Sequence, residues 1–163
     1  MKESLKPNTT LAPIPAVMVS CGDMESANII TVAWTGVLNS EPPLVYVSIR
    51  PSRHSYNIIK QTKEFVINIP DEKLVWQVDY CGTKSGKEVD KFKEANLTKE
   101  TSKNIKAPSI KGCPISLECK VKEIKELGSH HMFIGEVVGV NANKEIIENG
   151  KINLGKANLI TYL

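Results

Sequence analysis

The fold of this chain is decided by residues 28–55, which read Asn28-Ile-Ile-Thr31-Val-Ala33-Trp34-Thr35, then Gly36-Val-Leu-Asn-Ser-Glu-Pro42-Pro43, then Leu44-Val-Tyr-Val-Ser48-Ile49-Arg50-Pro-Ser-Arg53-His54-Ser55. Two strand-like apolar runs flank a double proline, and the second run is rich in β-branched and aromatic residues. Small polar groups, a tryptophan and two arginines collect at the ends of these runs. That combination suits a pocket for a flat, phosphorylated ligand, although a buried hairpin with a solvated loop would show the same pattern.

The size and composition predict one globular domain that spans residues 1–163. The chain is 41% hydrophobic and 24% charged, and its net charge of +3 is too small to indicate a nucleic-acid partner. No apolar run approaches the roughly 18 residues that span a membrane. Residues 11–20 weakly resemble an export signal, but Glu3, Pro13 and Pro15 interrupt that pattern. We therefore expect a first strand there, and a cytoplasmic protein.

The four cysteines indicate neither a metal site nor a redox pair. Cys21, Cys81, Cys113 and Cys119 show no spacing of two residues, which zinc knuckles and thioredoxin-like pairs require. We expect reduced, buried thiols that pack in the core.

Strand-like runs dominate the remaining sequence. Predicted strands cover residues 16–21, 27–33, 44–49, 64–69, 115–124, 130–140 and 158–162. The alternation is clearest in residues 115–124, which we expect to be half exposed. Many short strands and few helices predict a mainly β protein, a β-barrel with peripheral helices.

Three short helices are expected beside these strands. Ser55 can cap a helix over residues 56–61, and Asp71 can cap a helix from Glu72 to about Tyr80. A third short helix contains Asp90, Lys91 and Phe92. Residues 95–112 are mostly polar and are expected to cross the surface.

Two loops have the composition of phosphate-binding turns. Residues 48–55 place two cations and several hydroxyls directly before a helix. Residues 83–86, Thr-Lys-Ser-Gly, let the backbone approach an anion, and Lys91 follows one or two turns later. Neither loop has the spacing of a P-loop, and no dinucleotide-binding glycine motif follows a strand. For either loop taken alone, a solvated turn is the default interpretation and a phosphate site is the alternative.

Catalytic motifs are mostly absent. There is no Gly-x-Ser-x-Gly elbow. The adjacent His130 and His131 would point to opposite faces of a strand and so would not share a metal ion, and no metal site is predicted. Cys81, next to Gly82, has no evident partner base and is expected to pack. A pocket without a team of acid and base residues fits a protein whose cofactor performs the chemistry.

A series of short motifs, in order along residues 13 to about 140, resembles the flavin reductase-like family, whose members bind FMN on a split β-barrel. Flavoredoxins and ferric or flavin reductases are its most similar branches. The motifs are Pro13-x-Pro15, Asn28-x-x-Thr31-x-Ala33-Trp34, Pro42-Pro43 with Ser48-x-Arg50, Glu64-Phe65-Val-x-Asn68-Ile-Pro70, Cys81-Gly-x-x-Ser85-Gly86, Asp90-Lys91-Phe92, and Gly128-x-His130 followed by Ile134-Gly135-Glu136-Val137.

The resemblance implies an FMN cofactor and a homodimer, with the flavin near the subunit interface. It implies that the isoalloxazine ring or ribityl chain lies along Asn28, Thr31, Ala33 and Trp34. The residues implied around the ribityl phosphate are Ser48, Arg50, Arg53, Ser55, Thr83, Ser85, Gly86 and Lys91. The implied cofactor-binding set also includes Thr35, Ile49 and Cys81.

The resemblance implies a role for His130, which matches the family position where nicotinamide approaches. Family members often carry Asp before this histidine, and Ser129 stands here, so the carboxylate that would orient and charge the imidazole is missing. The implied function is an NAD(P)H-dependent oxidoreductase that reduces flavin, ferric complexes or a partner. The alternatives are an FMN-binding electron carrier without its own nicotinamide site, and a flavin-free relative.

Overall fold

A computed structural model describes residues 1–163, and strands make up most of its regular structure. The strands are β1 (Ile14–Pro15), β2 (Val17–Gly22), β3 (Ala27–Val32), β4 (Thr35–Asn39), β5 (Leu44–Ile49), β6 (Glu64–Ile69), β7 (Lys99–Glu100), β8 (Ser109–Ile110), β9 (Ile115–Glu126), β10 (His131–Ala142), β11 (Ile147–Glu148), β12 (Lys151–Ile152) and β13 (Thr161–Tyr162). The α-helices are α1 (His54–Thr62), α2 (Val75–Thr83) and α3 (Lys91–Glu94), and the 3-10 helices are Glu72–Leu74, Lys144–Ile146 and Leu154–Lys156.

Seven strands form one antiparallel sheet in the order β3-β2-β6-β9-β10-β5-β4. The sheet curves around a common core. Strands β3 and β5 are far apart in this order, yet Ile30 of β3 and Val47 of β5 belong to one apolar cluster with Phe65 and Phe133. The helices lie outside the sheet, and α1 turns Tyr56 and Ile59 into this core. The prediction of a mainly β barrel with peripheral helices is therefore confirmed.

The predicted first hairpin is confirmed to within one residue at each end. β2 pairs with β3 from Val17↔Val32 to Gly22↔Ala27. Gly22 has a φ of +90°, and an added Cβ would lie 2.0 Å from the Ser26 carbonyl oxygen, so the turn requires glycine. The strand prediction for residues 44–49 matches β5, and the prediction for residues 64–69 matches β6. All four cysteines are buried and unpaired, as expected.

The helix predictions need correction at their ends. The N-cap of α1 is Arg53, and Ser55 lies inside the helix, buried, where its hydroxyl serves another contact. The predicted cap Asp71 does accept a hydrogen bond from the Lys73 N–H, but it starts a 3-10 turn, which continues into α2. Because α2 runs to Thr83, residues 81–83 are helical and not part of a loop.

The prediction that residues 95–112 cross the surface is wrong for part of that segment. Ala95, Ala107 and Ile110 are buried, and the segment covers the outer face of β9. There the fully buried Glu118 accepts hydrogen bonds from the backbone N–H groups of Lys103 and Asn104, both at 2.8 Å. Strand β9 is therefore buried on both faces over its first half, where the alternation suggested one exposed face.

Other short elements were missed or misjudged. β4 pairs with β5 at the end of the sheet and was not predicted. The predicted strand 158–162 is reduced to β13, which pairs with β1. None of the helices has the length and apolar character that crossing a membrane requires.

Candidate functional site

Two adjoining cavities lie where β3 and β5 end and α1 begins. The first, the basic cavity, has a volume of about 220 Å³ and is lined by Asn28, Ile30, Arg50, Ser52, Arg53, His54, Ser55, Cys81, Lys84, Ser85, Gly86 and Lys91. The second, the tryptophan cavity, has about 200 Å³ and is lined by Ile30, Thr31, Val32, Ala33, Trp34, Ser48, Ile49, Arg50, Arg53 and His130. They share Ile30 and the two arginines, so one elongated ligand could occupy both.

Two larger depressions lie elsewhere but lack comparable chemistry, and a third, of about 320 Å³, adjoins the basic cavity at Asn28, His54 and Gly86 and mixes lysines with acidic residues. One, of about 440 Å³, is almost entirely apolar and lies between β1, β4 and β13. The other, of about 420 Å³, is lined by Glu100, Lys103 and mostly small uncharged residues. None of the three gathers charges of one sign, and we therefore place the candidate site in the two adjoining cavities.

The N-terminus of α1 opens into the basic cavity. Its N-cap, Arg53, makes no side-chain capping hydrogen bond, and the first turn contains no acidic residue. The first N–H groups of a helix lack partners within the helix, and they carry the positive end of its dipole. An uncapped helix start beside Ser52 and Ser55 is therefore suited to an anion.

Ser55 is held from the neighbouring strand. Its hydroxyl accepts a hydrogen bond of 2.8 Å from the side-chain amide of Asn28, and both residues are buried. The remaining hydroxyl proton of Ser55 can be donated to a ligand. Asn28 thus lies in the basic cavity and joins β3 to α1.

Lys91 supplies a buried ammonium to the same cavity. Its side chain is 4% exposed, and Nζ donates to the Ile29 carbonyl at 2.8 Å and the Cys81 carbonyl at 2.7 Å. No carboxylate pairs with it, since the salt bridges of the chain involve Lys122, Lys125 and Lys156. Burial, with a smaller contribution from the charge of Arg53, lowers the pKa of Lys91 to about 8. An ammonium has three donors, so one remains for a ligand.

Gly86 lets the loop after α2 close against this site. A Cβ on Gly86 would lie 2.2 Å from Asn28 Oδ1 and 2.7 Å from His54 Cδ2. Real Cβ atoms do not approach other atoms so closely, and only glycine therefore allows the loop to lie between these side chains. The glycine brings the backbone of Ser85 and Gly86 to the wall of the basic cavity.

The charges of the basic cavity all have one sign. Arg50, Arg53, Lys84 and Lys91 line it, and neither cavity has an Asp or Glu in its wall. A buried ammonium, a hydroxyl and a free helix start together form a good phosphate seat. These residues fit the phosphate end of a flavin mononucleotide, and the two cavities together reach the lower part of the roughly 300–1,000 Å³ typical of ligand pockets.

The tryptophan cavity offers an aromatic wall. Trp34 is 40% exposed, and its ring centroid lies 4.3 Å from that of His130, with the planes tilted by 41°. The Ser129 hydroxyl lies 3.0 Å from His130 Nδ1, so the serine can orient the imidazole without a carboxylate. Burial lowers the pKa of His130, and the charges of Arg50 and Arg53 lower it further, which keeps the ring neutral near pH 7.

His131 points away from this site, as expected for adjacent residues on a strand. Its Nδ1 lies 2.7 Å from the Tyr56 hydroxyl, under helix α1.

The structure brings together most of the residues singled out in the sequence. Those in the basic cavity are Asn28, Arg50, Arg53, Ser55, Cys81, Ser85, Gly86 and Lys91, and those in the tryptophan cavity are Thr31, Ala33, Trp34, Ser48, Ile49, Arg50, Arg53 and His130. Thr31 also donates from its hydroxyl to the Val78 carbonyl at 2.5 Å, which ties β3 to α2.

Two predicted residues lie outside both cavities. The Thr35 hydroxyl donates to the Tyr46 carbonyl within the sheet at 2.7 Å, and Thr35 borders the apolar depression. Thr83 is exposed in the last turn of α2, where its hydroxyl bonds back to the Asp79 carbonyl. The resemblance implied both residues near the cofactor, but in the structure Thr35 bonds within the sheet and Thr83 bonds back into α2.

The sequence reasoning missed the cavity residues Ile30, Val32, Ser52, His54 and Lys84. A strand alternation starting from Asn28 could have found Ile30, which lies two residues on and faces the same side. His54 and Lys84 carry no such signal, because a solvated loop would contain the same residue types.

Comparisons with known proteins agree with this geometry. The model of the flavin reductase like domain matches residues 10–155. An uncharacterised protein of Pyrococcus abyssi is 35% identical over 153 residues, which cover 94% of this chain and 87% of that protein. Flavoredoxin of Desulfovibrio vulgaris is 32% identical with a TM-score of 0.92, over 99% of this chain and 88% of its own. A split-barrel protein from Shewanella frigidimarina is 26% identical with a TM-score of 0.82, over 92% and 79%.

The fold is therefore the split barrel of the flavin reductase-like proteins. The chain belongs to the flavin reductase like domain family. Both the predicted fold and the predicted family are confirmed, and a redox function that uses a flavin follows as the coarse class of activity.

Proposed function

We propose that this protein binds FMN and passes electrons from NAD(P)H to flavin, a ferric complex or a partner acceptor. The observation that carries the proposal is the buried, unpaired ammonium of Lys91 beside the free start of α1. A buried cation without a carboxylate is costly unless an anion completes its contacts. The tryptophan cavity next to it offers the flat wall that an isoalloxazine ring needs.

The residues of the chain would bind and orient while the cofactor, when bound, supplies the electron chemistry. Lys91, Ser55, Gly86 and the first N–H groups of α1 would hold the phosphate. Trp34 and the ends of β3 and β5 would enclose the ring. His130, neutral and oriented by Ser129, would accept or donate a hydrogen bond with the reductant.

The test starts with the colour of the purified protein and a titration with FMN. Anaerobic mixing of the FMN-loaded protein with NADPH or NADH should then bleach the flavin absorbance. A protein that binds no flavin under these conditions would contradict the proposal and favour the flavin-free alternative.

A second candidate function is an electron carrier that binds FMN but has no nicotinamide site. Two observations favour it: the 32% identity to a flavoredoxin, and Ser129 in place of an acidic residue before His130. Flavin that is bleached by dithionite but not by either nicotinamide would identify this carrier.

We also propose that the protein works as a homodimer in the cytoplasm. Support for the dimer comes from the exposed apolar side chains of Val37 and Leu38 on β4, at the edge of the sheet and beside the apolar depression. Exposed apolar patches next to an unpaired sheet edge commonly mark an interface, and twofold pairing is its usual form.

A further inference from the structure

The cations around the basic cavity fall into two groups that differ in burial. Lys91 is buried, as is Ser55, and the two form the inner group, whereas Arg50, Arg53 and Lys84 are exposed. We refer to these three exposed residues as the rim cations. The inner group forms a complete phosphate seat without them.

The charge of one phosphate does not neutralise both groups. A phosphate monoester carries roughly −1.5 to −2 at neutral pH, so four cations would keep about +2 with a phosphate in the inner seat. No Asp or Glu lines either cavity, and no rim cation takes part in a salt bridge or donates a side-chain hydrogen bond within the chain. The rim therefore carries free donors and surplus positive charge.

Two of the rim cations also lie in the tryptophan cavity, so their surplus positive charge acts there as well. Arg50 and Arg53 line both cavities. In the tryptophan cavity they share the wall with His130, whose ring packs on Trp34, and their charge also lowers the pKa of His130. An anion bound at the rim would thus lie beside whatever occupies that wall.

We propose that the rim cations form a second anion site, separate from the seat of the cofactor phosphate, which holds the anionic group of the small molecule that exchanges electrons at the tryptophan cavity. This proposal rests on the proposed flavin-dependent function. A guanidinium presents its donors as a fork that matches carboxylate and phosphate oxygens. The shared chemistry is an oxyanion, which could come from the pyrophosphate of a nicotinamide dinucleotide or from the carboxylates of a ferric chelate.

The test compares the FMN-loaded wild type with the double variant Arg50→Gln/Arg53→Gln and the single variant Lys84→Gln. Oxidised NADP, oxidised NAD and ferric citrate are titrated into the oxidised protein by calorimetry at two salt concentrations, so no turnover is needed. The variants keep the side-chain stems, and the replaced groups are exposed, so folding should not change. The charge-matched control is Lys93→Gln/Lys120→Gln, which removes two exposed lysines that line neither cavity.

We expect the double variant to bind the anion about tenfold or more weakly, since hydrogen bonds to charged groups are the strong ones, and with a weaker salt dependence. Lys84→Gln should lose less affinity for the anion, and the control variant should bind the anion as tightly as the wild type. Binding of a dinucleotide would identify the rim as a site for the electron donor, and binding of ferric citrate would identify a site for the acceptor.

Three results would overturn the proposal. The wild type could bind none of these anions, the double variant could bind them as the control does, or the double variant could lose its preference for FMN over riboflavin. The last result would show that the two arginines bind the phosphate of the cofactor. Failure of the wild type to bind FMN is seen in an earlier titration and would overturn the proposed function itself.

Discussion

Lys91 shows how one buried side chain can serve both fold and ligand. Its ammonium joins the Ile29 carbonyl of β3 to the Cys81 carbonyl in the last turn of α2, where a cation also suits the helix dipole. The interpretation of Lys91 as a solvated helix lysine is excluded by its 4% exposure. The same ammonium keeps one donor for the cavity.

Replacement of Lys91 by alanine should weaken FMN by about ten- to a hundredfold and riboflavin much less, because only FMN has the phosphate. The measurement is quenching of flavin fluorescence for both ligands. Lys93→Ala, an exposed lysine of the same helix, is the control. Equal losses of affinity for FMN and riboflavin would show that Lys91 has only a structural role.

The same variant leaves the Ile29 and Cys81 carbonyls without their donor. This should lower the unfolding free energy of the unliganded protein by about 1–3 kcal/mol.

Replacement of His130 by alanine should raise the apparent KM for NAD(P)H by about tenfold, the worth of one ordinary hydrogen bond. Reduction by dithionite should not change, since that reagent needs no nicotinamide site. Because the pKa of His130 is lowered, the ring stays neutral above pH 7, and the KM difference should be constant between pH 7 and pH 9.

Two other outcomes would correct this assignment of His130. Unchanged kinetics with NAD(P)H would mean that the imidazole only packs against Trp34. Complete loss of flavin reduction at saturating NAD(P)H, with FMN still bound, would mean that the histidine is essential to the chemistry.

At the scale of elements, three segments meet at the basic cavity and hold one another. β3 contributes Asn28, α1 contributes Ser55, and the loop after α2 contributes Gly86 against both Asn28 and His54. Each side of the cavity therefore depends on the position of the other two. The loop depends on the close approach that glycine allows at position 86.

Replacement of Gly86 by alanine should weaken FMN by at least about tenfold, because the new methyl would displace the Asn28 amide from Ser55 or move the loop away from α1. Isothermal titration with FMN measures this. Gly155→Ala serves as the control. A Cβ on Gly155 would lie 3.2 Å from its nearest neighbour, Asn153 Oδ1, and Gly155 lines neither cavity. FMN affinity equal to the wild type would mean that the loop takes no part in the seat.

At the scale of the whole molecule, the buried lysine and the buried thiols change stability with pH in opposite directions. The pKa of Lys91 is lowered from 10.5 to about 8 by burial, so the unfolded chain binds more protons at this lysine from about pH 7 upward, which raises stability. Burial raises the pKa of Cys21 and Cys81 from 9.0 to about 11, and of Cys113 and Cys119 to about 12. From about pH 8.5 the unfolded thiols ionise first, and stability falls.

We therefore expect the unliganded protein to become slightly more stable from about pH 7 to pH 8 and less stable from about pH 8.5 to pH 11, because the four thiols of the unfolded chain, once they begin to ionise, outweigh one lysine. Urea denaturation in the presence of a reductant, at half-unit pH intervals, measures both changes. Lys91→Ala should lose the rise and keep the fall. A rise that persists in this variant would show that another group causes it.

The proposed dimer makes a prediction at the same scale. Val37→Glu places a charge on an 81% exposed apolar residue of β4 and should weaken dimerisation by roughly a hundredfold or more, because an unpaired carboxylate is costly to bury. Sedimentation at micromolar concentration measures this. Val140→Glu, at a 53% exposed valine on β10, is the control. A wild-type monomer that still binds FMN tightly would contradict the dimer.

Strands with a clear local pattern could be placed from the amino-acid sequence alone. The first hairpin, β5 and β6 were placed from alternation and turn residues, and these patterns depend only on neighbours in the chain. The ordered motifs also identified the family and most residues of both cavities. Those residues were implied by the resemblance to the flavin reductase-like family, whose motifs recur in order along this chain.

The folded structure was needed to show which side chains line the candidate cavities and which bond within the protein. Ser55 is a buried helix residue held by Asn28, Thr35 bonds within the sheet, and Thr83 bonds back into α2. Residues 95–112 cover β9 because Glu118 binds their backbone, although their composition resembles a surface segment. Thr83 bonds within one helical turn, but in the other cases the partner lies far away in sequence or across a strand pair. A hydroxyl or a carboxylate has the same local pattern whether its partner is water, a ligand or the chain, and for that reason only the folded structure distinguishes them.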